Sequence, residues 1–148
     1  MFVRKERSIA RVFGELAGEF TGVPNGWLSG IAEQTLGTAD GVTARMSTGR
    51  LHKKVSIQLG SVLSEDARAV MPIRVVATGP AGLFPQLDAD LELLAAGPSA
   101  TMLRLSGSYR VPLGSAGRLL DGVLLHRIAE ASVTDFLERV SQRLERLP

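Results

Sequence analysis

Few side chains in this 148-residue chain are suited to chemistry. There is no cysteine, which removes disulfides, thiolate nucleophiles and cysteine-held metal centres together. Two histidines, His52 and His126, and a single tyrosine, Tyr109, are what remains for acid and base work besides the carboxylates. A histidine can act as acid, base or donor near neutral pH, but it needs an oriented partner within hydrogen-bond reach. Asp121 stands five residues before His126 on the same predicted helix, a step that puts the two on different sides. The ordinary alternative for His126 is a satisfied or solvent-facing ring. Tyr109 falls on the inward face of a predicted strand with a polar tip, and its ordinary alternative is a core tyrosine with a bonded hydroxyl. Two histidines and scattered serines define no Ser/His/Asp order, so no catalytic set is expected.

The remaining polar constellations read as surface. Ser47 to Lys54, STGRLHKK, concentrates positive charge at a predicted hairpin and reads as a solvated turn, with an anionic head group as the functional alternative. The loop TGPAGLFP, Thr78 to Pro85, has glycines but neither the Lys-Ser/Thr of a phosphate loop nor a helix after it. Asp88, Asp90 and Glu92 alternate on one strand face, a solubility pattern rather than a coordination cage, so no metal and no cofactor is expected. The net charge is only +2, with cations mixed among anions and few aromatics between them, so no nucleic-acid partner is expected. No window is apolar enough to span a bilayer and the N-terminus lacks the apolar run of a signal peptide, which makes a cytoplasmic protein the default expectation.

The elements that must position these residues follow from periodicity. Phe2 to Ser8 alternates as a short, polar edge strand. Ile9, Val12, Phe13, Leu16, Ala17 and Phe20 recur at helical steps up to Thr21-Gly22, and Trp27, Leu28, Ile31, Ala32 and Leu36 repeat the pattern after Pro24-Asn25-Gly26. From Gly41 the period becomes two. Val42, Ala44 and Met46 form one strand; Val55, Ile57, Leu59 and Leu63 share a face of the next, with Gly60 a bulge or bend. Ala69 to Thr78, Gln86 to Ala95 and Thr101 to Val111 follow, the last with Leu103, Leu105, Gly107, Tyr109 and Val111 inward. Ser115 to Leu147 is one long amphipathic helix with Val133, Phe136, Leu137, Val140, Leu144 and Leu147 on its stripe. Short turns imply antiparallel neighbours. The expectation is an α+β protein: a curved antiparallel sheet of about six strands wrapped around a long C-terminal helix, with two short helices after the first strand, in a single domain over 1–148.

This order resembles the helix-grip fold of the START and birch-pollen-allergen superfamily, whose bacterial members include SRPBCC or polyketide cyclase/dehydrase-like proteins. The local likeness is carried by YRVPLGSAGRLLDGVLLHRIAEASVTDFLERVSQRLE, Tyr109 to Glu145, which looks like the last strand, the glycine-bearing link and the Asp-containing helix start of that group. The resemblance implies a cavity for an apolar or amphipathic small molecule between sheet and helix. It does not imply one reaction, because the superfamily includes carriers, receptors and cyclases.

On a helical wheel the stripe through Val133 continues backward through Ala129, His126, Leu125, Gly122 and Leu119, so its first half is small or polar where the second half is bulky. With the hollow fold that the resemblance implies, Gly122, His126 and Ala129 leave room for a ligand; without it, small residues simply permit close packing. The expected lining is Ile57, Leu59, Met71, Ile73, Leu91, Leu103, Leu105, Tyr109, Gly122, Leu125, His126 and Ala129. Leu120, Val123, Leu124 and Ile128 lie off the stripe, which suits packing under the short helices or against a second copy of the chain. The leading expectation is a non-catalytic binding or carrier protein for an apolar ligand, with Tyr109 or His126 orienting its polar end. The alternatives are a cyclase or dehydratase using the same cavity, and an interaction subunit whose cavity is filled by its own side chains.

Overall fold

The computed structural model describes residues 2–22, 26–36, 55–77, 86–110 and 122–147. The strand expected at Val42 to Met46, the basic hairpin, the loop Thr78 to Pro85 and Asp121 lie outside these residues. The chain runs β1 (Phe2–Ile9), α1 (Phe13–Gly22), α2 (Trp27–Thr35), β2 (Val55–Leu59), β3 (Leu63–Ser64), β4 (Arg68–Ala77), β5 (Gln86–Ala95), β6 (Thr101–Arg110) and α3 (Gly122–Glu145). The strands form one antiparallel six-stranded sheet in the order β1-β6-β5-β4-β2, with β3 also paired to β4.

One face of this sheet is dry. Alternation sends Ala69, Met71, Ile73 and Val75 of β4, Leu87, Ala89, Leu91 and Leu93 of β5, and Leu103, Leu105 and Tyr109 of β6 to the same side, and all are buried. α3, about 36 Å long at 1.5 Å per residue, lies over that side and packs on β1 and β6. Its anchors Val133, Phe136, Leu137, Val140 and Leu144 are buried, each worth about 1.5–3 kcal/mol in removed apolar surface. Helices α1 and α2 close the layer through Phe13, Leu16, Phe20, Leu28 and Ala32.

The far end of α3 is tied down by Arg11. Its Nη1 donates to the carbonyls of Leu144, at 3.2 Å, and Leu147, while the guanidinium also reaches Glu15. The Arg11 carbonyl in turn accepts from Thr101 Oγ1 at 2.8 Å. This tie accounts for one correction. Ile9, expected to begin the first helix, instead ends β1, where it pairs with Thr101; α1 starts only at Phe13, after the Arg11 turn. Long-range pairing overrides a local helical spacing there.

The outer face holds two further corrections. Glu92, expected to face water, is only 5% exposed. Arg104 Nη2 at 2.9 Å and Arg68 Nε at 3.1 Å close over the same carboxylate oxygen, and Arg104 continues to Glu6 at 3.6 Å. These partners sit across β4, β5, β6 and β1 because the register aligns Glu92 with Arg104 and Arg104 with Glu6. Leu63, expected inward with Ile57 and Leu59, is 72% exposed. Leu59 pairs with Ile73 but Leu63 with Val70, so the register slips by one residue across Gly60 to Val62. That is a bulge, and a one-residue slip turns every later side chain to the other face.

Two glycines are required by geometry. Gly97, in the β5–β6 turn, has φ of 108°. Gly107 is aligned with Ala89 and Val3, and a Cβ there would collide with the Asp88 carbonyl and the Ala89 backbone. Gly107→Ala is therefore expected to cost more than about 2 kcal/mol, or to prevent folding, as read from urea unfolding. A second outcome concerns Glu92. Burial pushes its carboxyl up, but the hydrogen bonds from Arg104 and Arg68 outweigh it and hold it below its usual 4.5. Its folded value is depressed, so its contribution is present above the unfolded value and disappears as pH falls through the folded one. Glu92→Gln is expected to lower stability at neutral pH and to flatten the acid limb of a stability-against-pH curve.

Candidate functional site

The dry layer opens at one small crevice among the described residues. A single cross-strand row forms its sheet side, since Val75 pairs with Leu87 and Leu87 with Tyr109. Ala129, Ser132 and Val133 of α3 face this row, with Leu36 and Gln86 at its margin. The row is apolar because alternation puts Val75 and Leu87 inward. The helix side is open because Ala129 and Ser132 are short where the next turns carry Phe136 and Leu137. The crevice measures about 10 Å³, room for about one water molecule.

Tyr109 is 6% exposed. Burial alone pushes its phenol up from 10.0 to about 12, so it remains a hydrogen-bond donor through the physiological range and is a poor base. Among the described residues no hydrogen bond reaches its hydroxyl.

The expected lining residues divide sharply. Tyr109 and Ala129 meet at the crevice. Met71, Ile73, Leu91, Leu103 and Leu105 are fully buried in continuous packing. Ile57 and Leu59 are partly buried against that core. Gly122 and Leu125 belong to the first turn of α3, where the helical backbone is what is described.

His126 is displaced from the place the wheel gave it. Its side chain is 42% exposed and its Nε2 lies 3.4 Å from Glu130 Oε1, the oxygen that Lys5 Nζ of β1 also reaches at 3.4 Å. At that level α3 has come to the flank beside β1, where a lysine rather than an apolar side chain meets it. Ser132, Leu36, Val75, Gln86, Leu87 and Val133 were not expected at the site. Ser132 carried a signal: it stands three residues after Ala129, on the same helix face. The alignment of Val75, Leu87 and Tyr109 depends on register, which alternation alone does not fix.

A larger hollow of about 670 Å³ lies on the opposite, wet face of the sheet. Short side chains, among them Ser106, Ser108, Asp88 and Asp90, leave it shallow beside the bulkier Arg104 and Glu92, and Phe2, 65% exposed, stands at its rim. It is open to solvent and crossed by the Arg74–Asp88 ion pair at 2.6 Å. It holds no enclosed polar group, so the inner crevice is the better candidate despite its size. Among the described residues no cluster of His, Asp or Glu is placed to hold a metal ion, and no helix is long and apolar enough to cross a membrane.

No family model and no curated protein matches the chain. Solved structures do. A conserved protein from Geobacillus kaustophilus superposes with a TM-score of 0.59 at 11% identity, over 97% of this chain and 95% of that one. A hypothetical protein from Helicobacter pylori gives 0.55 at 10% identity, over 97% and 87%. A START superfamily protein from Mycobacterium smegmatis covers 99% of both chains at 10% identity with a TM-score of 0.46. At these identities the likeness is one of fold. That fold, an open antiparallel sheet with two short helices after its first strand and a long C-terminal helix, is an α+β helix-grip arrangement.

The sole tyrosine makes the burial of the site directly measurable. Ultraviolet titration of the native protein is expected to show no phenolate until the pH approaches about 12. Because the folded value is raised, the associated stability is intact below the unfolded value of 10.0 and is lost as pH rises from there through the folded one.

Proposed function

We propose that this protein binds an apolar or amphipathic small molecule between its sheet and the first half of α3, without converting it. The observation that carries this reading is the crevice itself: a row of Val75, Leu87 and Tyr109 faces the short residues Ala129 and Ser132. Its volume of about 10 Å³ admits a single small group, so a whole ligand enters by separating this half of α3 from the row. Removing about 200 Å² of apolar ligand surface from water would supply roughly 5 kcal/mol towards that separation and towards affinity. The expected lining from Ile57 to Ala129 belongs to the same proposal, with Tyr109 and Ala129 at its centre and His126 on the flank.

The cyclase or dehydratase alternative loses support on chemistry. His126 stands beside Glu130 rather than at the crevice, and burial keeps the Tyr109 phenol protonated at neutral pH, so it is not available there as a general base. The interaction-subunit alternative is favoured by one observation, the smallness of the crevice. Native mass spectrometry of the purified protein, followed by solvent extraction, separates the two. The binding reading expects a recurrent apolar molecule that is absent from Ala129→Phe, which fills the crevice. An empty protein that dimerises with concentration would replace it with the interaction reading.

A further inference from the structure

Two hydroxyls at the crevice have no work to do in the fold. Elsewhere on the helices, hydroxyls bond back to their own carbonyls: Thr21 to Ala17 at 2.9 Å, Thr35 to Ile31 at 2.8 Å and Ser141 to Glu138 at 2.9 Å. Ser132 lines the crevice instead, and among the described residues it makes no such bond. Tyr109, on the sheet side, also lines the crevice, and among the described residues its hydroxyl likewise makes no hydrogen bond. Tyr109 is more than nine-tenths buried, yet no buried side-chain oxygen among the described residues is left without a partner. Its oxygen therefore keeps some accessible surface.

The chemistry of the walls limits what these hydroxyls can meet. The described lining contains Leu, Val, Ala, one amide at Gln86 and the two hydroxyls, and no ionisable carboxylate or cation. A charged end group entering here would lose its hydration and find no counter-charge in the described lining. An uncharged oxygen would lose little and gain donors. We propose that the ligand enters with a neutral oxygen acceptor foremost, a ketone or ester carbonyl, which the hydroxyls of Tyr109 and Ser132 hold in the crevice. This rests on the binding reading above and makes Tyr109 and Ser132 its specificity-determining residues. A molecule of the same shape ending in a carboxylate or sulfonate is rejected.

Fluorescence titration of the full chain tests it with prodan, a neutral naphthalene ketone whose emission reports hydrogen bonding to its carbonyl, against anilinonaphthalene sulfonate, an anion of similar size. Wild type is expected to bind prodan at least tenfold more tightly than the sulfonate. Tyr109→Phe, which keeps the ring and removes the hydroxyl, is expected to weaken prodan about 3- to 10-fold and move its bound emission to shorter wavelength. Ser132→Ala is expected to do the same to a smaller degree. If Tyr109→Phe leaves affinity and emission unchanged while Ala129→Phe still abolishes binding, the proposal falls and the binding reading stands. Sulfonate binding as tight as prodan, and equally sensitive to Ala129→Phe, overturns the requirement for a neutral end. Prodan that does not bind wild type, or that binds Ala129→Phe equally, removes the crevice as a site and the proposal with it.

Discussion

The structure depends on covering one dry face of a curved sheet with one helix. Five of the six described strands turn apolar side chains to the same side, and exposing that surface would forfeit the hydrophobic term that holds the chain together. α3 supplies the cover, and Arg11 fixes its position at the far end. One guanidinium takes up helix-terminal carbonyls that have no partner within the helix, where the helix dipole also favours a cation. Because the Arg11 carbonyl is bonded to Thr101 at the start of β6, the helix terminus, the β1–α1 turn and the middle of the sheet are joined at one point.

This arrangement makes the helix unequal along its length. Its second half is held by Phe136, Leu137, Val140 and Leu144 and by the Arg11 tie. Its first half meets the sheet through Ala129 and Val133, with an exposed ion pair from Lys5 to Glu130 at the flank; such pairs contribute at most about 1 kcal/mol. The crevice and the anchor are thus two consequences of one distribution of side-chain size along α3.

Much of this is legible in the residues because burial on one face imprints alternation. Leu87, Ala89, Leu91 and Leu93 announce their strand and its inner side, and the stripe from Val133 to Leu144 announces the helix. What periodicity does not carry is the identity of the neighbour. Glu92 reads as a wet residue until the register brings Arg104 and Arg68 over it. His126 falls on the buried stripe of the wheel, but a wheel contains no information about where the apolar sheet ends beneath the helix, and there it meets Lys5 and Glu130. Ile9 fits a helical spacing equally well as the end of a strand, and its pairing with Thr101, ninety-odd positions away, decides. The row of Val75, Leu87 and Tyr109 is likewise set by register, and a wheel places Ser132 beside Ala129 without showing what faces them.

The slip at Gly60 to Val62 has a consequence for how molecules of this protein meet one another. An open sheet has two borders with unpaired backbone groups, and a long flat border invites the border of another molecule to dock and extend the sheet. Among the described strands the outermost on that side, β2, is broken by the bulge after five residues and resumes only as the two-residue β3, so it offers no long straight run. The opposite border, β1, is lined by Arg4, Lys5, Glu6 and Arg7, charges that a docking strand would have to match one by one. Among the described strands, neither outermost one therefore offers a long uncharged run to a docking strand. The irregularity that turns Leu63 out to solvent also shortens the run that a second molecule's strand could follow.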